Sequence, residues 1–187
     1  MTDRRTEIIN TAIELIVDQG YSCLTMRALA RDVGMKLASL QYHFKTTDEL
    51  MRAVVNHIGD SYDRSFSAFR DRNEVITVRQ MTGFILEDEA GKELCSDRLW
   101  PQLWAMQQVE PLVSELVEDI YKRYLGALEV SLRLAGSSKP RADALCLMSM
   151  LEGTTIFVGE GRGWEKDAKD VGEAILNLIE NNWGNNQ

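Results

Sequence analysis

The sequence is poor in the residues that build architectures other than packed helices. It has only three prolines and three cysteines among 187 residues. Cys23, Cys95 and Cys146 are odd in number, widely separated and without a C-x-x-C pair, which argues against a disulfide framework or a thiolate metal site and leaves buried free thiols as the expectation. There are two histidines, His43 and His57, and neither has a Cys or a paired carboxylate at ligand spacing, so neither a metal nor a cofactor is expected. No window approaches the roughly 20 apolar residues of a membrane span, and the opening MTDRRTEIINTAIEL lacks the apolar core and cleavage site of a secretory signal. The expectation is a cytoplasmic protein with no membrane partner. Catalytic signatures are missing as well: there is no nucleophile elbow, no H-E-x-x-H and no paired cysteine, so no enzymatic activity is expected. The run G-E-G-R-G at 159–163 follows a helical pattern instead of a strand and lacks Lys-Ser/Thr, which makes it an interhelical loop rather than a phosphate cradle.

Net positive charge is lacking too. Lys and Arg number 21 against 29 Asp and Glu, for a formal charge of -8, and such a field opposes a polyanionic partner. The deficit is unevenly spread. Residues 1–46 hold six basic side chains (Arg4, Arg5, Arg27, Arg31, Lys36, Lys45) against five acidic ones, a net of +1, which leaves -9 for the other 141 residues. If DNA is bound, the N-terminal quarter binds it.

What the sequence has is helical periodicity. Ile8, Ile9, Ala12, Ile13, Leu15 and Ile16 recur at three- and four-residue spacing, which predicts a helix over about 4–19 that Gly20 stops. Thr25 can cap a short second helix lined by Met26, Leu29, Ala30 and Val33. After a turn of about three residues around Gly34, Leu37, Leu40 and Phe44 share one side of a short third helix. Thr46 and Glu49 form the pattern of a capping box at the start of a fourth helix, a long rod in which Leu50, Val54, Ile58, Tyr62, Phe66 and Phe69 repeat to near Arg70. Further helical patterns cover about 75–88, 97–108, 111–135, 139–158 and 167–183, with Pro101, Pro111 and Pro140 near their first turns. No segment alternates with period two, so the expected fold is all-α.

Two short helices joined by a glycine turn can place the second in a major groove while the first braces it. A corner of this shape also occurs in plain helical bundles. The outward side of the third helix, Lys36, Ala38, Ser39, Gln41, Tyr42, His43 and Lys45, offers cations, small residues and hydrogen-bonders without a carboxylate, a set that suits DNA. A glutamine can bond N6 and N7 of adenine together, so Gln41 is the candidate base reader. Tyr42 could alternatively pack on the fourth helix.

Residues 25–50, TMRALARDVGMKLASLQYHFKTTDEL, resemble the helix-turn-helix signature of the TetR family of transcriptional regulators. The resemblance covers roughly residues 5–55 and implies a regulator, expected to be a repressor, that binds a near-palindromic DNA operator as a homodimer and is released by a small-molecule effector. It implies phosphate contacts from Thr25, Tyr42, His43 and Lys45, further contacts from Arg27 and Lys36, and close approach to the groove at Ala38 and Ser39. Gln41, where an aromatic residue is common, and Leu37 and Thr47 depart from the family pattern, which bears on the operator sequence.

The implied organisation is a helix-turn-helix domain over 1–46 and a helical ligand-binding and dimerisation domain over 47–187. The helix over 139–158 is apolar nearly all round and demands cover on more than one side; the resemblance implies that it and the last helix, with Val171, Ala174, Ile175, Leu178 and Trp183, pair with their symmetry mates. Phe84, Trp100, Leu103, Trp104, Met106, Tyr121 and Tyr124 form an aromatic and Met-rich set of the kind that lines a pocket for an effector, or that simply fills a core. The acidic residues of this half could favour a cationic ligand or simply form a solvated face. The alternative to a regulator is a helical small-molecule or protein-binding module with no DNA role.

Overall fold

The computed structural model describes residues 3–88, 94 and 96–184. Among them all regular structure is helical, and no strand occurs. The α-helices are α1 (Arg4–Gln19), α2 (Met26–Asp32), α3 (Leu37–His43), α4 (Thr47–Asp71), α5 (Val78–Glu87), α6 (Ser96–Met106), α7 (Pro111–Leu134), α8 (Pro140–Phe157) and α9 (Ala168–Trp183), with 3-10 turns at Tyr21–Cys23 and Glu165–Asp167. The chain divides into two compact units: Met1–Asp63 with Ala90–Val117, and Arg64–Glu89 with Glu118–Gln187. The segment 1–46 falls wholly within the first.

In the first unit α1 turns Ile8, Ile9, Ala12, Ile13, Leu15, Ile16 and Val17 inward. It stops where Gly20 takes φ 84°, a left-handed backbone that a side chain would strain, while its N–H donates to Ile16 O at 2.9 Å. Just beyond, the Tyr21 hydroxyl donates to the Glu110 carboxylate, and partial burial next to that carboxylate pushes the phenol up to about 12. Thr25 caps α2 as expected, its Oγ1 accepting from Ala28 N at 3.1 Å. The chain then reverses at Gly34, φ 72°, with Met35 N donating to Ala30 O at 2.8 Å.

Three local expectations need correcting. Thr46 Oγ1 accepts from Glu49 N at 3.1 Å, but the Glu49 carboxylate accepts from Lys45 N at 2.9 Å instead of from Thr46 N. The reciprocal box is therefore displaced by one residue, because the chain leaving α3 turns the Lys45 N–H, not that of Thr46, toward Glu49. Pro101 lies in the interior of α6, beyond the first turn, so the carbonyl four residues back lacks its helical donor; Pro111 and Pro140 do open their helices. Cys146 is exposed and Cys23 only partly covered, because position 146 falls on the outward side of α8; Cys95 lies outside the described residues.

In the second unit, Thr77 and Gln80 make a full capping box for α5, and Arg79 joins α5 to α9 through Leu176 O at 3.4 Å and Glu180 at 3.7 Å. Ser131 is buried on α7 and donates to Ile76 O at 2.6 Å. The α8 helix buries Ala144, Leu147, Met148 and Leu151 but leaves Leu145, Met150, Ile156 and Phe157 exposed. Met150, Gly153 and Phe157 of α8 and Val171, Ala174 and Leu178 of α9 line an apolar groove of about 550 Å³. The 159–163 loop closes on itself, Gly161 N donating to the Glu165 carboxylate at 2.8 Å.

Leu40 is fully buried where α3 meets its neighbours, so Leu40→Ala should cost about 2–5 kcal/mol, whereas Thr25→Ala, which removes one cap bond, should cost about 1 kcal/mol. Chemical denaturation of the two variants should rank them in that order, and equal losses would show that the α3 core contact is not the stronger.

Candidate nucleic-acid interface

The α3 helix has seven residues, too few to persist alone, so its orientation is set by what holds it. Leu40 and Phe44 are fully buried on one side and Leu37 is half-buried. On the other side Lys36, Ala38, Ser39, Gln41, Tyr42 and Lys45 are all exposed, and Tyr42 at 85% has no packing role against α4. His43 is half-buried, with its ring edge-on to Tyr42 at 5.5 Å. Thr25 and Arg27 at the start of α2 are exposed as well, while Arg31 on the same helix is engaged by Asp32 at 2.8 Å. No carboxylate stands between Lys36 and Lys45.

One residue that the sequence pattern did not single out organises this surface. Arg5 of α1 donates to the His43 carbonyl at the end of α3, its guanidinium sits 4.1 Å from the centre of the Phe44 ring, and it pairs with Glu49 of α4 at 3.6 Å. A single cation thus closes the last turn of α3, where free carbonyls concentrate negative potential, and ties that turn to two other helices. In the sequence Arg5 counted only as one of six basic residues; a partner 38 positions away leaves no local signal.

Capping does not exhaust the Thr25 hydroxyl. Its oxygen uses a lone pair to accept from Ala28 N, and a hydroxyl keeps its own hydrogen for a second, outward acceptor such as a phosphate oxygen. Arg27, Lys36 and Lys45 supply the charge such a surface needs, and Ala38 and Ser39 leave room for close approach.

The aromatic set divides between the two units. Trp100, Leu103 and Met106 are buried on α6 in the first, with Trp104 beside Trp100 at 6.3 Å and Tyr62 edge-on to Trp100 at 5.6 Å. Phe84 and Tyr124 belong to the second, 5.6 Å apart, and join Phe66 and Phe69, the latter stacked on Phe84 at 4.3 Å. Tyr121 hydrogen-bonds the Glu152 carboxylate. Burial, with a smaller push from Asp88, raises that carboxyl to about 7 despite the Tyr121 bond, which favours the charged form. Burial first, then the negative charges of Asp88 and Glu152, also push the Tyr124 phenol well above its usual value. Sequence reasoning did not single out Glu152, although it is the one charged residue between Asp143 and Glu160, on an otherwise largely apolar helix, and that isolation is the signal that could have marked it.

The architecture has close relatives. A family model for bacterial regulatory proteins of the tetR family matches residues 8–54. A curated relative, an uncharacterised HTH-type transcriptional regulator encoded in the dhlA 5' region of Xanthobacter autotrophicus, is 28% identical over 150 residues, covering 75% of this chain and 72% of that protein. Among solved structures, a protein assigned as a transcriptional regulator from Saccharomonospora viridis, in complex with choline, is similar with a TM-score of 0.73 at 22% identity over 97% of this chain and 98% of its own. AibR in complex with isovaleryl coenzyme A and operator DNA is similar with a TM-score of 0.70 at 18% identity over 94% of this chain and 97% of its own. At those identities the structures speak for the fold, while the residues matched by the family model include all of α2 and α3. Over residues 8–54 the chain is similar to the tetR family of bacterial regulatory proteins, and across three quarters of its length it is similar to an HTH-type transcriptional regulator.

Proposed function

We propose that this chain is a cytoplasmic repressor that grips a near-palindromic operator as a homodimer and releases it when a small molecule binds the C-terminal region. The observation that carries the reading is the exposed, carboxylate-free side of α3, backed by Leu40 and Phe44 and anchored by Arg5. In this reading Thr25, Tyr42, His43 and Lys45 bond phosphates and fix the register. Arg27 and Lys36 add charge, and Ala38 and Ser39 let the helix sit deep enough for Gln41 to reach an adenine. The +1 of residues 1–46 and the -9 of the remainder orient the chain in the field of a duplex, basic end first.

The dimer follows from the outward apolar side of α8 and α9. Phe157 at 57% and Leu178 at 43% exposure, next to Met150, Val171 and Ala174, are costly to leave in water and suit a second copy of the same pair of helices. A two-fold assembly carries two recognition helices, which on B-DNA must lie about one turn, roughly 34–36 Å, apart. The effector is held by side chains from one of the two groups into which the expected set divides, Trp100, Leu103, Trp104 and Met106 of the first unit or Phe84, Tyr121 and Tyr124 of the second. Bound effector favours a state in which the two α3 helices no longer match both half-sites, so ligand and operator weaken each other by the same factor. The complexes of two structural relatives, one with choline and one with isovaleryl coenzyme A and operator DNA, support an effector of this kind.

Selection of bound sequences from a random duplex pool with the purified protein should recover an inverted repeat. Enrichment of nothing would overturn the reading in favour of a binding module without a DNA role. On the selected operator, Gln41→Ala should lose about 1–3 kcal/mol of discrimination at one base pair in each half-site. Lys45→Ala should instead weaken all sequences alike and flatten the salt dependence by about one unit of slope. An unchanged base ranking for the first, or an unchanged slope for the second, would refute that residue's role. Light scattering should return twice the 21.2 kDa chain mass at micromolar concentration, and the single chain mass after Phe157→Glu with Leu178→Glu; a monomeric parent would defeat the dimer.

A further inference from the structure

A carboxylate next to a surface that suits a polyanion is a liability, since it repels every phosphate within a Debye length. The first turn of α4 carries two, Asp48 and Glu49, shortly after the exposed side of α3. Acidic residues favour the start of a helix, and that general reason covers both equally. Their surroundings differ. Glu49 is half-buried and reaches out of its own helix twice: one carboxylate oxygen accepts from Lys45 N at 2.9 Å, and the other lies 3.6 Å from the Arg5 guanidinium. Asp48 is exposed, and its charge bears on the Tyr21 phenol. Arg5 in turn donates to the His43 carbonyl and lies 4.1 Å from the centre of the Phe44 ring, so Glu49 has a hold on three successive residues, His43, Phe44 and Lys45. The displaced capping box thus does what the usual one would not. A carboxylate bonded to Thr46 N would close α4 alone, whereas one bonded to Lys45 N ties α4 to the chain leaving α3.

We infer that Glu49 is a positioning residue for base reading: without touching the duplex, it fixes the end of α3 through Arg5 and through the Lys45 N–H, and so sets operator preference while its charge opposes affinity. The inference rests on the operator reading above and concerns how that surface is aimed. Leu40 and Phe44 press α3 from beneath, and packing on one side controls a helix less closely along and about its axis than across it. Hydrogen bonds to a base edge weaken steeply when bent or stretched, whereas the attraction of a cation for phosphates tolerates small shifts. Loosening the end of α3 therefore harms discrimination before it harms attraction. Charge alone predicts one result for removing either carboxylate, namely equal or tighter binding to any duplex. Positioning predicts that the loss of Glu49, and not of Asp48, also erases the preference for the operator.

The experiment titrates the full chain, Glu49→Ala and the charge-matched Asp48→Ala into labelled duplexes, read by fluorescence anisotropy: the selected operator, and a scrambled duplex of the same composition. On the scrambled duplex the two variants should bind alike, and no more weakly than the parent. On the operator, Asp48→Ala should keep the parent's preference, while Glu49→Ala loses about tenfold or more of it. Glu49→Gln keeps an acceptor for Lys45 N–H but drops the charge that holds Arg5; it should fall between the two, and it decides the matter if the alanine variant does not fold. Arg5→Ala should lose operator preference with an unchanged salt slope, where a phosphate contact would lower the slope by about one unit. Combined with Glu49→Ala it should add less than about threefold, since the two act through one contact. Hydrogen exchange of the free protein reads the same hold: the Lys45 amide should exchange about tenfold faster in Glu49→Ala and as in the parent in Asp48→Ala. The inference is overturned if Glu49→Ala keeps the operator preference, if Asp48→Ala loses as much, if Arg5→Ala lowers the salt slope, or if the Lys45 amide is unaffected by the loss of Glu49. A parent without any operator preference removes the regulator reading and this inference together, whereas a preference that survives Glu49→Ala removes this inference alone.

Discussion

The structure turns on how a seven-residue helix is held still. A segment as short as α3 gains too few internal hydrogen bonds to offset the cost of starting a helix, so its order is borrowed from Leu40 and Phe44 packed beneath it and from Arg5 closing its last turn. Because those three attachments all lie behind or at the end of the helix, every residue of the opposite side is released from structural duty. That is why this side can consist of a lysine, two small residues, a glutamine, a tyrosine and a second lysine without cost to the fold. The Arg5 anchor also combines several weak terms at one guanidinium: a carbonyl hydrogen bond, a ring face at 4.1 Å and a carboxylate at 3.6 Å. None is large at a partly exposed site, but together they fix where the end of α3 lies relative to α1 and α4.

The helical frame was largely legible in the sequence because it is written locally. Apolar spacing of three and four marked α1 through α4 to within a residue or two, and Thr25, Gly20 and Gly34 marked ends that depend only on adjacent backbone. The exposed face of α3 was legible for the same reason, since alternation along a helix separates what is covered from what is not. Features set by distant chain were not. Arg5 acts on a carbonyl 38 residues away, Glu49 reaches one residue further back than its motif suggests, and Pro101 sits inside a helix instead of at its start. The aromatic set could be drawn up from composition but not sorted, and its two groups belong to different compact units. Glu152 differs from these, since as the one charged residue between Asp143 and Glu160 it carried a local signal of its own.

Charge is organised on the same two scales. Across the chain the acidic excess lies beyond residue 46, a long-range field that salt screens over about 10 Å at 0.1 M. Within the second unit the Glu152 carboxyl is raised, first because partial withdrawal from water disfavours its charged form and then because Asp88 adds a like charge. The first effect reaches across the chain; the second stays local. A protein can therefore be strongly acidic overall and still present one end suited to a polyanion.

A hydroxyl that caps α2 and also serves the proposed phosphate contact narrows which side chains position 25 can accept. Judged on helix capping alone, aspartate and asparagine rank with the best residues there. Facing a phosphate, aspartate would bring a like charge, and valine, though of the same shape as threonine, would leave the α2 amide without its acceptor. Serine keeps the lone pair and the proton on one atom, and asparagine keeps an acceptor and a donor only on two separate atoms. The mutational vocabulary of this position is thus smaller than either folding or binding would impose separately, and a drift from threonine to aspartate, silent in a melting curve, would surface only when the duplex is added.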